Sequence, residues 1–539
     1  MARKELYRRL DHWEHSLEQT TGSYLLLLLL AGLLFGSGLD SAPIYILDEA
    51  KNAQCAREML QNHNYIVPFF NGELRTDKPV FHYWMMIIAY QLFGTTAFAA
   101  RFFSAVAGIL LISYTHRFTR MIYDRRTAFW TCILLLAALH LSLEMHFAVP
   151  DPYFIFFVTA AIYEYYLFEN LGHRKHLLLA YLWVGFGVLS KGPAAILLPG
   201  GIVFFHLLLS QQLAWQKIRQ LRPLAGLLIV AVIAAPWYIL VHLQTNGLWT
   251  RGFFLEHNIH RFSTIMEGHG GFFLLTVVFV IVGLLPFAVW LLPALVNMLK
   301  KKLLRKHDMF MLIAGGFITL FFTISRTKLP NYTIPAYPFF TLLLARYWLQ
   351  LEPKRHNENI QWIVYLVLMF LLPIGVYIAI VIEPAIRTHT PLAFLFLLLP
   401  MGAIAGRWLW KKQYTWSSRV AIAGSFMITI LLFNLVAYPR IYRSNPVQKA
   451  LHITGDRKEY VAFRSYNPGF NFYLPGPIPV LQDSVELKTW LDNHPQTYVI
   501  TRKDELTVMG QQSLAIVSED KDIFELPVTV VLAPAVKKQ

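Results

Sequence analysis

Apolar runs of close to twenty residues, each ended by a short polar or basic break, recur along most of this chain. A helix needs roughly 20 apolar residues to cross the hydrocarbon core of a bilayer, and that criterion gives about thirteen spans. They fall near 23–40, 98–119, 127–147, 152–169, 176–190, 192–210, 223–243, 272–298, 308–325, 333–350, 360–383, 391–409 and 419–438. The two short runs on either side of Lys191 meet the criterion least well. The pattern predicts a polytopic α-helical membrane protein, with a membrane domain over 23–438. From about residue 439 the apolar runs shorten, charge rises, and Pro and Gly enter at Asn467-Pro468-Gly469 and Leu474-Pro475-Gly476-Pro477. Tyr460–Phe463, Thr497–Ile500 and Val528–Leu532 read as short strands, and Ser484–Asn493 reads as a helix opened by a serine cap. A small α/β domain over 439–539 is expected.

The breaks between spans carry the orientation signal. Arg117 to Arg126, Arg174-Lys175, Lys217 to Arg222, Lys300 to Lys306, Lys354-Arg355 and Arg407 to Lys412 all fall on one side if the N-terminus is cytoplasmic. The other, outer side then receives loops 41–97 and 244–271, the turn at Val149 to Pro152, the turn Arg326 to Asn331 and the C-terminal domain. A formal charge of +16 would suit nucleic acid if it lay on one soluble face. Divided among apolar spans it suits anionic membrane lipid instead, and no nucleic-acid partner is expected. A hydrophobic content of 56% excludes a soluble multidomain protein. With only Cys55 and Cys132, a disulfide framework is not expected. Residues 1–22 read as a cytoplasmic amphipathic segment before an uncleaved first helix.

Polar groups crowd where the first span gives way to the outer loop. Asp48, Glu49, Lys51, Arg57 and Glu58 open an amphipathic turn; an Asn71-Gly72 turn follows, then Arg75, Asp77 and Lys78 before Pro79. Ionisable groups at such a junction point to a functional site, with a solvated loop as the plain alternative. The ordered series Asp48-Glu49-Ala50, Ala56-Arg57-Glu58-Met59, Phe70-Asn71-Gly72, Asp77-Lys78-Pro79, Tyr83-Trp84, Leu92-Phe93-Gly94 and Phe98-Ala99-Ala100-Arg101 resembles the first outer loop of the aminoarabinose (4-amino-4-deoxy-L-arabinose) lipid A transferase family. These are relatives of the protein O-mannosyltransferases and have the GT-C fold. Thr250–Phe262 resembles that family's Glu-His-Asn…Arg-Phe loop, and Arg326–Pro335 its Lys-Leu…Tyr…Pro segment.

The resemblance implies transfer of a sugar, with inversion, from undecaprenyl phosphate to lipid A or another envelope glycan at the periplasmic face. It implies Asp48 as the carboxylate nearest the anomeric carbon, acting as base toward an alcohol or as a charge stabiliser toward a phosphate acceptor. Lys78 is implied as the donor-phosphate cation, with Lys51, Lys328, Tyr332 and Arg261 as helpers. Asp77 and His257 resemble positions that hold a divalent metal, zinc or magnesium, although no local spacing supports one. Asp151 resembles a catalytic Asp-Pro position, and a helix cap is the equal alternative. The chain departs from the family pattern at Lys51, Arg75, Asp77 and Asn331, which leaves the sugar and the acceptor open. Transferases acting on protein or polysaccharide are alternatives, as is a flippase for a polyprenyl-linked sugar. A flippase would place its charges at mid-membrane on repeated, broken helices; here they collect at one face and no repeat appears.

Overall fold

Two helices are buried on every side and set the axis of the bundle in the computed structural model, which describes residues 20–265, 270–300, 305–353, 358–455, 459–510 and 514–534. The basic segment through residue 19, together with Lys301, Lys302, Lys354 and Arg355, lies outside the described residues. In the helix Asp151–Leu171 every side chain from Asp151 to Leu167 is buried, and in Tyr337–Leu349 every one from Tyr337 to Trp348. A helix apolar all round belongs at the centre of a bundle. Two polar groups of the first helix are matched internally: Glu164 accepts from Tyr114 and Arg117 and meets His176, while Tyr165 pairs with His206.

The apolar runs read from the sequence fall mainly in helix. Among the described residues six helices are long and apolar enough to cross a membrane, or seven if one bent pair counts as a span. That pair, Leu275–Gly283 and Phe287–Leu299, bends by 114° where a single straight span over 272–298 is expected. Pro286, which has no N–H to donate, stands at the break. The run 127–147 is likewise two helices, Arg125–Leu136 and Leu139–Glu144. The run 333–350 opens with a tight turn of helix, Pro330–Ala336, before Tyr337–Leu349.

The outer loop is ordered. The helix Leu47–Gln61, here α1, starts on Asp48 and Glu49 and is followed by a two-stranded hairpin, β1 (Phe69–Phe70) and β2 (Glu73–Leu74). Asn71 and Gly72 at its tip both have positive φ, +54° and +78°, the backbone that an Asn-Gly hairpin turn requires.

The C-terminal part forms a five-stranded sheet in the order β4-β3-β5-β7-β6. The strands are β3 (Tyr460–Phe463), β4 (Val480–Leu481), β5 (Tyr498–Arg502), β6 (Leu514–Lys521) and β7 (Val528–Pro534). β3 pairs in parallel with β4 and β5, and β7 is antiparallel to β5 and β6. The helix Ser484–Asn493 is present, but its cap is Asp483, whose carboxylate accepts from Val485 N and Glu486 N. A serine cap is therefore corrected to an aspartate cap one residue earlier. Cys55 and Cys132 are both free and buried.

The sheet domain is bonded to the outer loop. The Asn71 side chain donates to Ile478 O at 2.9 Å and accepts from Ile478 N at 2.7 Å and Asn471 Nδ2 at 2.8 Å. Arg57 reaches Phe472 O at 2.9 Å, and Ile523 N donates to Tyr45 Oη at 3.2 Å. The hairpin returns the load to α1, because Glu58 accepts from Asn71 N and Gly72 N.

Candidate active site

Asp48 and Glu49 are adjacent in sequence, and the helix turns them to different fates. Glu49 is fully buried and takes a two-point contact from Arg101, Nε to Oε1 at 2.7 Å and Nη2 to Oε2 at 2.8 Å. It also accepts from Ala148 N at 3.0 Å, so it pins α1 to the bundle. Asp48 remains open to water, and no hydrogen bond holds its carboxylate among the described residues. The Lys78 ammonium nearby keeps Asp48 below the ordinary carboxylate pKa, against the opposing effect of burial, with help from Arg75.

Lys78 itself makes no hydrogen bond or ion pair among the described residues, although Asp48, Asp77 and Asp151 surround it electrostatically. Burial works against its charge, but the three carboxylates outweigh burial and raise its pKa above that of ordinary lysine. A cation so held, with its donors unspent, is a ready partner for an anion.

Asp77 is engaged differently. Arg75, buried beneath it, donates from Nη2 to Oδ2 at 2.9 Å, and its Nε lies 2.8 Å from Oδ1. Burial opposes the Asp77 charge, yet Arg75, Lys78 and His257 hold its pKa well below the carboxylate range. His257, on the π-helical turn Gly252–His260, has a buried Nδ1 without a hydrogen-bond partner. Burial, reinforced by Lys78 and Arg261, lowers its pKa. The two residues implied as metal ligands do come to one place. Both Asp77 oxygens, however, already face Arg75, and no group of three His, Cys, Asp or Glu among the described residues could hold a metal. As it stands this donor set does not fit a resident divalent ion, and no step below runs through one.

Asp77, Lys78 and His257 open on a cavity of about 490 Å³ built from all three outer stretches, whereas Asp48 is not among its lining residues and reaches it through the charge of Lys78. Asp77, Lys78 and Pro79 come from the first, Phe253, His257 and Arg261 from the second, and Ser325 and Tyr332 from the third. Apolar side chains dominate the rest of the wall, among them Phe254, Phe262, Phe321 and Leu197. Asp151, at the start of the central helix Asp151–Leu171, accepts from Asn331 Nδ2 at 3.0 Å and is paired with Lys191. Its side chain caps no backbone amide, so the helix-cap alternative is not what the structure shows. Lys51, one turn along from Asp48, adds positive charge at that carboxylate but does not line the cavity. Lys328 is placed elsewhere: its ammonium donates to Thr323 O at 2.7 Å and Ser325 O at 2.8 Å, the carbonyls that end the helix Lys306–Ile324. That reading as a phosphate helper is corrected; Lys328 is a helix-end clamp.

Lys191, which the sequence alone gave no role, lines the same cavity. Its ammonium lies over the rings of Tyr332, at 4.9 Å, and Phe154, at 5.3 Å, while paired with Asp151. A signal was available, because Lys191 is the one Lys, Arg, Asp or Glu in the apolar stretch 176–210. The next residue, Gly192, has φ +77°, and a Cβ there would meet Phe253 Cζ at 2.5 Å, so a bare backbone is needed where this helix end meets the second loop.

Residues 77–240 match the family described as dolichyl-phosphate-mannose-protein mannosyltransferase. Crystal structures of ArnT from Cupriavidus metallidurans superpose closely. The form bound to undecaprenyl phosphate gives a TM-score of 0.81 at 22% identity over 96% of this chain and 99% of that one. The apo form gives 0.79 at 21% identity over 95% and 98%. The chain has the fold of these two structures. A protein of Aquifex aeolicus (strain VF5), uncharacterized, is 27% identical over 89% of this chain and 91% of its own length. An undecaprenyl phosphate-alpha-4-amino-4-deoxy-L-arabinose arabinosyl transferase of Aeromonas salmonicida (strain A449) is 30% identical over 57% of this chain. The match spans 56% of that relative, so the chain covers little more than half of it. The family match begins at Asp77, one of the residues that line the cavity.

Proposed function

We propose that the chain is an integral-membrane glycosyltransferase that moves a sugar, aminoarabinose or a relative of it, from undecaprenyl phosphate to lipid A or another envelope glycan. The observation that carries this reading is Lys78: a charged ammonium with no bonded partner, beside Asp48, at the wall of a cavity shared with Arg261 and Tyr332. A lipid phosphate fits there, because the apolar wall suits a polyprenyl chain and the cations suit its head.

The acceptor oxygen attacks the anomeric carbon from the face opposite the phosphate, and the bond from that carbon to the phosphate oxygen breaks. Its electron pair leaves with undecaprenyl phosphate, so the departing phosphate gains one negative charge. Lys78 and Arg261 meet that charge, and cations placed where charge develops lower the barrier. Asp48 accepts the proton of an alcohol acceptor, or, toward an acceptor that is already a phosphate anion, stabilises positive charge on the sugar. The Lys191–Asp151–Asn331 contacts hold Tyr332 at the same wall. A divalent ion at Asp77 and His257 would require Arg75 to release Asp77, and we propose that Arg75 supplies that charge instead.

We further propose thirteen spans, an N-terminal segment 1–22 in the cytoplasm, and a periplasmic domain over 439–539, in a bacterial inner membrane. The basic breaks between spans support that orientation, and the bonds from Asn71 and Arg57 put the sheet domain on the side of the reaction loop. Purified full-length protein with a labelled undecaprenyl-phosphate sugar tests the activity. Transfer should occur with wild type, whereas Asp48→Asn should lose it by about 10²–10⁴-fold and still bind donor. Equal turnover by both would remove Asp48 from the chemistry. Mass spectrometry of envelope lipids from a deletion strain would name the sugar and the acceptor through the mass that disappears.

A further inference from the structure

A second cavity, of about 560 Å³, lies among Tyr123, Asp124, Arg126, Arg305, Lys306 and Arg346. Four cations and one carboxylate line it, with His307 beside them. The carboxylate is occupied: Asp124 accepts from Thr127 N at 2.7 Å and Thr127 Oγ1 at 2.8 Å. Arg346 is fixed by Asp308 and lies 4.8 Å from the centre of the Tyr123 ring. Tyr123 also donates to Asp308 at 2.8 Å. Arg305 and Lys306 are exposed, and their side chains make no hydrogen bond or ion pair among the described residues. They stand at the start of the helix Lys306–Ile324, which has no side-chain cap. Its first amides, the positive end of the helix, therefore add to the charge of the lining.

The position of this cavity identifies its ligand. The helix Lys306–Ile324 begins at this cavity, and Phe321, Phe322 and then Ser325 at its other end line the reaction cavity. Its 19 residues span about 28 Å at 1.5 Å each, close to the roughly 30 Å of a hydrocarbon core. The basic cavity thus sits at headgroup level on the membrane face opposite the reaction. Ile122 and Leu349 give its edge an apolar border.

We infer that this cavity binds the phosphate of an anionic phospholipid in the leaflet away from the chemistry. The inference rests on the membrane placement of the helix and not on the transfer reading. Native mass spectrometry of the full-length protein, released from detergent with phosphatidylglycerol or phosphatidylethanolamine, tests it. Wild type should retain phosphatidylglycerol in preference, and R305Q/K306Q should lose that adduct by at least about tenfold. Both substitutions lie on the surface, so the variant's melting temperature should match wild type. A photoreactive phosphatidylglycerol should label peptides containing Tyr123 or His307. Undiminished adduct in the variant, or label confined to other peptides, overturns the assignment. Displacement by inorganic phosphate with no preference between the two lipids would show a free-anion site and overturn it equally. Transfer assayed in detergent should be unchanged in the variant, which separates failure here from failure of the proposed activity.

Discussion

Replacing Lys78 by Met removes the charge while keeping the length of the side chain, and two separable effects should follow. The first is on the donor. A hydrogen bond to a charged group contributes about 1.5–3 kcal/mol, so kcat/KM for the undecaprenyl-phosphate sugar should fall by about 10- to 150-fold. The second is on Asp48, whose carboxyl Lys78 holds below its ordinary value of 3.8 while burial pushes the other way. Opposite charges at the ~4–6 Å over which a carboxylate responds attract by about 3–4 kcal/mol at an effective dielectric near 20. Asp48 is open to water, so solvent screens part of that, and the net movement on losing Lys78 is upward. The sign is fixed. With folded pKa depressed, the ionised form persists down to acid pH in wild type, and activity is lost only as pH falls through that low value. Without Lys78 the same loss begins at higher pH. The assay is kcat/KM against pH from about 3 to 8, together with the melting temperature of each protein. A fall in kcat/KM with an unmoved acid limb would refute the coupling between Lys78 and Asp48. A K78M value within about threefold of wild type would refute the phosphate role. Lys78→Arg retains the charge and should leave the limb in place.

Asn71→Ala removes three bonds to Ile478 and Asn471 and should cost about 1–3 kcal/mol, seen as a lower melting temperature and faster hydrogen exchange over 69–74. Arg101→Leu leaves Glu49 buried and unpaired, which costs about 3–5 kcal/mol, so the variant should be recovered poorly from membranes. A second change, Glu49→Leu, should restore most of the yield, and failure to do so would show that Arg101 matters for more than charge balance. Lys328→Ala should lower stability by about 1 kcal/mol through the freed carbonyls of Thr323 and Ser325, with donor KM unchanged in a steady-state assay.

The length and position of most helices were legible because hydrophobic burial in lipid writes itself along the chain in runs of fixed length. The breaks inside those runs were less so. Pro286 bends one by 114°, yet Pro236 and Pro373 sit within continuous helices, so proline alone does not announce a bend. That Asp48 and Lys78 come close enough to feel each other's charge was expected from the resemblance and from their place in one loop. The division of labour between Asp48 and Glu49 was not, since it depends on Arg101 arriving from a helix about fifty residues on. Lys328 misled for the same reason: a lysine at the end of a span offers the same charge to a lipid phosphate and to helix carbonyls, and only the fold chooses. β6 was missed because its charged end, Glu519 to Lys521, lacks the apolar alternation by which strands are read.

The pairing of charges explains why this site can wait for an anion without collapsing on itself. Arg75 is committed to Asp77 and Lys191 to Asp151, so neither pair has net charge to offer. Lys78 and Asp48 balance each other at longer range, without a bond that a ligand would have to break. Arg261 adds positive charge at the same wall. A phosphodiester carrying one negative charge therefore enters a site that is close to neutral around its carboxylates and positive toward Arg261. In the proposed transfer, when the sugar departs and the phosphate gains its second charge, Lys78 can turn toward it at the expense of a contact that was only electrostatic. Had Lys78 been bonded to Asp48 as tightly as Arg101 is to Glu49, the same step would require breaking a buried ion pair. On this argument the absence of a hydrogen bond between Lys78 and Asp48 is what lets one lysine serve first the carboxylate and then the leaving group.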